Sequence, residues 1–196
     1  MKIICVTGAC GVGKSTMRDF VGERLDEKIF ACIDTDECGI NWHDYANTDH
    51  PEGYANAYLA EAVRRAAGQT LVLFGCTNPM DYLTKNIIPD EVEATYFVTL
   101  VADDEIIRER LLARPAERGF NESNIPPHIE YNRWFRRNRG KFPLQLDTGI
   151  LSQEETADRI AEFAKQLNYT ERKIGLKLPI PVTDISDYDL NAPFLD

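Results

Sequence analysis

The sequence predicts an α/β protein: a doubly wound, five-stranded parallel sheet with helices on both faces. Three observations point there. Short β-branched apolar runs alternate with stretches of helical period. The runs are apolar almost throughout, as strands covered on both faces must be. The first of them runs into a glycine-rich turn, Gly8-Ala9-Cys10-Gly11-Val12-Gly13-Lys14-Ser15, that opens a helical pattern.

Residues 2–6 read as a buried strand. Helical spacing runs from residue 14 to about residue 25, with Met17, Phe20, Val21 and Leu25 on one face. Residues 29–33 read as the second strand, ending at Asp34-Thr35-Asp36. Residues 39–53 have no clear period and suit a loop or broken helix. Residues 54–67 are Ala-rich and helical, stopped by Gly68. Residues 70–74 form the third strand, ended by Gly75, and residues 79–88 a helix. Residues 94–101 give the fourth strand. Residues 103–113 give a helix with Asp103 as cap. An irregular segment with Pro115, Gly119, Pro126 and Pro127 precedes a helix over 128–139. Residues 143–146 make a short fifth strand. Ser152 and Glu155, at capping-box spacing, open a last helix to residue 167.

Composition excludes several classes. The apolar fraction, 43%, is enough for a core. No apolar run is long enough to span a membrane. The apolar stretch after Met1 is too short for a secretion signal, so a cytoplasmic location is expected. The five cysteines, at 5, 10, 32, 38 and 76, are odd in number and contain no Cys-x-x-Cys. A disulfide framework is therefore not expected. Cys32, Cys38 and His43 fit no zinc spacing. A net charge of −10 disfavours a protein that coats nucleic acid. Between residues 108 and 141, however, nine basic residues face four glutamates. That segment is either a solvated helical face or a place where phosphates are gripped.

The turn at residues 8–15 is Gly-x-x-x-x-Gly-Lys-Ser between a strand and a helix. Glycines let successive N–H groups turn inward around a phosphate, and the helix N-terminus adds partial positive charge. Gly8, Gly11, Val12, Gly13, Lys14, Ser15 and Thr16 are the expected phosphate-binding residues. Lys14 is long enough to reach β- and γ-phosphates, and Ser15 can hold Mg²⁺. The turn alone does not separate kinases from GTPases, motors or transport ATPases.

With this loop, Asp34-x-Asp36, the Arg110/Arg114/Arg118 series and Leu146-Asp147-Thr148-Gly149, the chain resembles the P-loop kinases of small molecules, the adenylate, shikimate and gluconate kinase group. The resemblance extends from Met1 to about Leu167. It implies a P-loop NTPase fold of the nucleotide-kinase kind over residues 1–170, with a lid at about 114–127. Residues 171–196 are expected to form an irregular tail outside it. ATP and Mg²⁺ are the implied cofactors, and a small molecule the implied partner. By the resemblance, Asp34 is the base or anchor for an acceptor hydroxyl, and Asp36 a candidate for the hydration shell of Mg²⁺. Arg114 and Arg118 belong to the lid, with Arg110 on the nucleotide side. Asp147 and Thr148 lie against the adenine. Alternatively, Asp34 and Asp36 are turn residues, and Arg108 and Arg110 pair with Glu105 and Glu109 on a solvated helix.

The chain departs from these families in ways that leave the acceptor open. It has Gly75-Cys76-Thr77-Asn78 where shikimate kinases have consecutive glycines. It lacks their Phe-Arg-x-x-Glu and the Thr-Gly-Asp of adenylate kinases. No acidic residue closes the third strand, so metal would rely on Ser15, Asp36 and water. Trp42, Tyr45, Asn78, Arg133 and Arg137 are the acceptor candidates, and the aromatic residues near Asp34 favour a nucleoside or nucleotide. A polynucleotide 5′-hydroxyl kinase and a nucleotide-binding switch are the rival readings. The GTPase form of a switch would need an Asn-Lys-x-Asp motif, which is missing.

Overall fold

In a computed structural model, which describes residues 1–169, five parallel strands form one sheet in the order β2-β3-β1-β4-β5. The strands are β1 (Lys2–Thr7), β2 (Phe30–Asp34), β3 (Thr70–Phe74), β4 (Ala94–Val101) and β5 (Leu144–Asp147). The helices are α1 (Lys14–Gly22), α2 (Gly53–Ala66), α3 (Pro79–Thr84), α4 (Asp104–Leu112), α5 (Pro126–Arg137) and α6 (Gln153–Tyr169). The tail expected at 171–196 lies outside the described residues. Among the described residues no helix is long and apolar enough to cross a membrane.

β1 is central, and every residue in it is buried. It pairs with β3 through Val6 and Phe74, and with β4 through Thr7 and Thr99. The chain moves outward from β1 to β2, then reverses through β3 towards β4 and β5. Right-handed crossovers place α1 on one face and α2 on the other. α6 packs beside α1, and α5 packs on β4. Arg24, just past α1, pairs with Glu154 and Asp158 of α6. The reversal opens a crevice at the carboxyl ends of the strands, which is where open α/β sheets take ligands.

Several boundaries differ from those the pattern predicts. α3 stops at Thr84, four residues short of the expected end. Its apolar continuation Ile87-Ile88 leaves the helix instead, and the Ile87 N–H bonds the Asn56 side chain. α4 ends at Leu112, before Pro115, because the residue ahead of a proline already avoids helical geometry. Pro126 and Pro127 start α5 rather than precede it. The first helical turn needs no N–H from either.

Buried polar groups then hold the carboxyl ends of the strands. Asn132 is fully buried on α5. Its amide donates to the Ala102 carbonyl at 2.9 Å and accepts from the Ala102 N–H at 3.3 Å. Gln145 donates to Thr99 Oγ1 and the Phe135 carbonyl. These bonds seat α5 over the ends of β4 and β5.

The chain leaves β1 under tight steric constraint. Gly8 has φ +150°, and a Cβ there would lie 2.3 Å from the Leu100 carbonyl oxygen. A backbone atom cannot yield as a side-chain tip can. Gly8→Ala is expected to lose about 2–4 kcal/mol of stability, read as a lowered denaturation midpoint in urea. A midpoint equal to that of the unsubstituted protein would contradict the close approach.

Candidate functional site

The turn between β1 and α1 has no side-chain cap. Gly13, at φ 93°, is the cap residue of α1 and contributes only backbone. The first N–H groups of α1 are thus left for a ligand. Ser15 and Thr16 are exposed beside them, while Val12 is buried and anchors the turn from below. Lys14 is 8% exposed, and its ammonium donates to the carbonyls of Gly8 (2.7 Å) and Ala9 (2.8 Å). A buried ammonium needs such partners. Gly11 is wedged against Ile107 and Leu111 of α4, so the turn is clamped on both sides.

β2 ends at Asp34, which is 7% exposed. Its Oδ1 accepts from the Asp36 N–H at 3.0 Å, capping the short 3-10 turn Thr35–Cys38. The turn-residue alternative therefore accounts for one carboxylate oxygen. It does not account for the other: Oδ2 is buried and has no partner among the described residues. An unpaired buried carboxylate oxygen is costly in a resting fold. Asp36 itself is exposed. Glu37 closes the cap by accepting from the Asp34 N–H, and Arg18 of α1 binds Glu37.

The turn after β3 joins these two strand ends. A Cβ on Gly75 would collide with the Thr35 side chain at 2.5 Å. Thr7 Oγ1 donates to the Thr77 carbonyl at 2.6 Å, and Thr77 Oγ1 meets the Tyr58 hydroxyl at 3.1 Å. Tyr58 is the inner end of an aromatic series. Tyr54 meets Tyr58 edge-on at 5.2 Å, Trp42 meets Tyr54 at 5.3 Å, and Tyr45 lies 6.2 Å from Tyr54. The Tyr45 ring rests on Gly53, where a Cβ would be 3.0 Å away. Burial raises the Tyr54 hydroxyl above its ordinary pKa, and the charges of Asp36 and Asp34 push the same way.

The arginines separate into distinct roles. Arg110 does not pair with Glu109. It donates to Thr148 Oγ1 (2.9 Å), the Thr148 carbonyl (2.8 Å) and the Gly11 carbonyl (3.3 Å). Thr148 Oγ1 in turn donates to the Val12 carbonyl at 3.0 Å. The turn after β5 is thereby tied to the phosphate loop, and Asp147 Oδ1 accepts from the Gly149 N–H within it. Arg108 pairs with Glu122 rather than Glu105. Arg114 lies over the Phe120 ring at 5.3 Å, and its charge acts on Cys10 and His128. Arg118 is exposed, at the end of the short turn Ala116–Arg118.

Two acceptor candidates are engaged elsewhere. Arg133 binds Asp104 at 2.7 Å and also Glu130. That places it at the start of α4, on the far side of β4 from Asp34. The Asn78 side chain caps α3 by accepting from the Met80 N–H at 2.9 Å. Arg137 lies on the last turn of α5.

Sequence reasoning missed Tyr54, Tyr58, His128 and Tyr131. Tyr131 is 4% exposed with an unpartnered hydroxyl, and burial raises its pKa well above the ordinary value. His128 Nδ1 is also buried without a partner among the described residues, and burial holds the ring below its ordinary pKa. The signal available was spacing: Tyr54/Tyr58 at i, i+4 and His128/Tyr131 at i, i+3 each share a helix face.

Among the described residues no cluster of His, Cys, Asp and Glu could hold a metal by itself. The exposed Ser15 hydroxyl, the Asp36 carboxylate and Asp34 Oδ2 are hard oxygen donors that fit Mg²⁺, which keeps waters and phosphate oxygens as its other ligands. A cavity of about 180 Å³ opens beside Asp147, lined by Val101, Arg136, Arg139 and Gln145. A larger one of about 460 Å³ lies near Met1 and Gly68, at the amino ends of the strands and away from these groups.

A family model described as an AAA domain matches residues 4–129. Comparison with curated proteins found no match. Among solved structures, a shikimate kinase from Bacteroides thetaiotaomicron is similar at TM-score 0.53 and 16% identity, over 84% of this chain and 98% of its own. A sugar kinase from Janibacter sp. HTCC2649 gives TM-score 0.52 and 16% identity, over 87% and 95%. A deoxyadenosine kinase from M. mycoides gives 0.50 and 14%, over 85% and 100%. At these identities the likeness is one of fold: the chain has the architecture of P-loop small-molecule kinases.

Arg110→Ala is expected to free the turn at 147–149 from the phosphate loop. Affinity for ATP, measured by calorimetry, should fall on the order of tenfold, the value of about one charge-assisted hydrogen bond. An unchanged affinity would detach that turn from the nucleotide site.

Proposed function

The chain belongs to the AAA domain family, and on that premise we propose that it is an ATP-dependent kinase that phosphorylates a hydroxyl of a small acceptor, a nucleoside or nucleotide by preference. The observation that carries this reading is Asp34: a buried carboxylate with one oxygen fixed by its own turn and the other unpaired. A plain nucleotide switch gives no reason to keep such a group. A kinase for a hydroxyl acceptor does, because the attacking oxygen must lose its proton.

The ATP phosphates lie in the backbone turn of Gly8, Gly11, Val12 and Gly13, against the N–H groups of Lys14, Ser15 and Thr16. Lys14 exchanges the Gly8 and Ala9 carbonyls for β- and γ-phosphate oxygens. Arg110 holds Thr148 and Asp147 against the loop, where they border the base. Ser15, with Asp36, would hold Mg²⁺, which would neutralise charge on the phosphates. The acceptor hydroxyl gives its proton to Asp34 Oδ2 as its oxygen bonds to the γ-phosphorus. The bond from that phosphorus to the ADP oxygen breaks. Arg114, with Arg118 when the lid closes, stabilises the charge spread over the transferring group.

The wall of Trp42, Tyr45, Tyr54 and Tyr58 supports an acceptor with a flat ring. The polynucleotide reading loses ground because several cations of the basic segment, though exposed, are already paired. Arg108, Arg133 and Arg136 each pair with a carboxylate, and Arg110 bonds the loop. A track for a nucleic-acid backbone needs those cations free.

ADP release from Mg²⁺-ATP, measured against nucleosides, nucleoside monophosphates, sugar acids, shikimate and a 5′-hydroxyl oligonucleotide, tests the acceptor. Release should be highest with a nucleoside or nucleotide and should stop with EDTA. Lys14→Ala should cut turnover by ~100-fold or more. Asp34→Asn should cut transfer to a hydroxyl by ~10²–10⁴-fold with ATP binding intact. Full activity of Asp34→Asn would overturn the base assignment. Should a phosphate be the acceptor, already deprotonated at neutral pH, Asp34→Asn would raise KM rather than lower kcat.

A further inference from the structure

Cys10 lies in the phosphate loop and Cys76 in the turn after β3, and their sulfurs face each other at 4.0 Å. Neither thiol has a role in the chemistry above. Cys10 is partly exposed and Cys76 exposed, so both can meet a solute. The two belong to different strand connections, brought together because β1 and β3 are neighbours in the sheet.

The surroundings of this pair differ from those of the other three cysteines. Burial raises the thiols of Cys5, Cys32 and Cys38, that of Cys32 to about 11, which makes them poor nucleophiles. Cys10 moves the opposite way. The hydrogen bond with Cys76, and then the charges of Lys14 and Arg114, outweigh its burial and bring it down to about 6. The same hydrogen bond, with burial, raises Cys76. The sulfur whose pKa is lowered therefore has a second thiol within reach. A reactive cysteine with a resolving partner has that arrangement.

We propose that Cys10 and Cys76 form a reversible oxidation site for a peroxide, and that their disulfide closes the phosphate loop to nucleotide. The Cys10 thiolate attacks one oxygen of hydrogen peroxide. The O–O bond breaks, hydroxide leaves, and Cys10 becomes a sulfenic acid. The hydroxide takes the Cys76 proton. The Cys76 thiolate then attacks the Cys10 sulfur, the S–O bond breaks, and water leaves once the departing oxygen is protonated. Overall the two thiols are oxidised to one disulfide, and the peroxide is reduced to water. A dithiol reductant reverses this by exchange.

Closure follows from where the slack lies. The sulfurs must approach from 4.0 Å to about 2.05 Å. Gly11 lies close against α4 and Gly75 close against Thr35. The movement falls on Ala9-Cys10 and on Cys76 itself. The Ala9 carbonyl is held by the Lys14 ammonium, whose charge also acts on both sulfurs. The new bond therefore pulls on the segment whose carbonyls hold the lysine, beside the place where the β- and γ-phosphates would sit. This gating rests on the reading of residues 8–15 as the nucleotide site.

The test uses the full chain, reduced with dithiothreitol, desalted, and treated with hydrogen peroxide. Peptide mapping without reductant should recover a Cys10–Cys76 linked pair. Calorimetry with Mg²⁺-ATP should show affinity lowered by ~100-fold or more and restored by dithiothreitol. Cys76→Ser should bind ATP as the reduced protein does, yield no linked peptide, and leave Cys10 reactive to dimedone after peroxide. No linked pair, or a linkage to Cys5, Cys32 or Cys38, would overturn the oxidation site. A linked protein that binds ATP unchanged would overturn the gate. A reduced protein that fails to bind ATP would overturn the nucleotide reading and the gate with it, while the linked-peptide map still decides the oxidation site.

Discussion

The structure depends on one close approach: the backbone leaving β1 passes at contact distance from the carbonyl of Leu100 on β4. Only glycine fits at position 8. The residues after it cannot continue the strand, so they curl and present their N–H groups to one point. α1 must begin where that curl ends, uncapped, because a capping side chain would occupy the space a phosphate needs. Lys14 then folds back onto the Gly8 and Ala9 carbonyls and neutralises the inward-facing dipoles of the turn. The same contact fixes the neighbours. Gly11 meets α4, α4 carries Arg110, and Arg110 ties in the turn after β5.

Around that fixed turn, the strand ends are joined by hydrogen bonds between side chain and backbone rather than by apolar packing. Thr7, Thr77 and Tyr58 form one series. Asp34, Asp36 and Glu37 form another, anchored to α1 by Arg18. Asn132 and Gln145 bind α5 to β4 and β5. Each series satisfies buried groups that would otherwise be costly. The exceptions stand out for that reason. Asp34 Oδ2, His128 Nδ1 and the Tyr131 hydroxyl are buried without partners among the described residues. Arg18 Nε and Asp104 Oδ1 are likewise buried without partners among the described residues.

The basic segment is a case where charge counting and geometry diverge. Nine basic residues against four acids in 108–141 suggest a surface for phosphates. In the fold, Asp103, Asp104 and Glu122 take up Arg136, Arg133 and Arg108. Such exposed pairs add little stability, but they consume cations that could meet a ligand. Arg114 differs. Its partner is the face of Phe120, which leaves its charge directed at the phosphate loop.

The sequence by itself determined the five strands, their parallel pairing and the phosphate loop. Those depend on local pattern: apolar β-branched runs, glycines at fixed spacing, and a helix that starts at Lys14. It also placed Asp34 at a strand end, since the run stops there. Tertiary structure decided what sequence spacing cannot carry. The strand order puts β3 beside β1, and so brings Cys76 to Cys10 and Thr77 to Thr7. The crossing of α4 over the loop made Arg110 a strut between the loop and Thr148. The docking of α5 sent Arg133 to Asp104 and buried Tyr131. Pattern along a chain encodes which face of an element is apolar. Which polar side chains then share a point in space depends on how the elements cross, and the sheet order alone sets that.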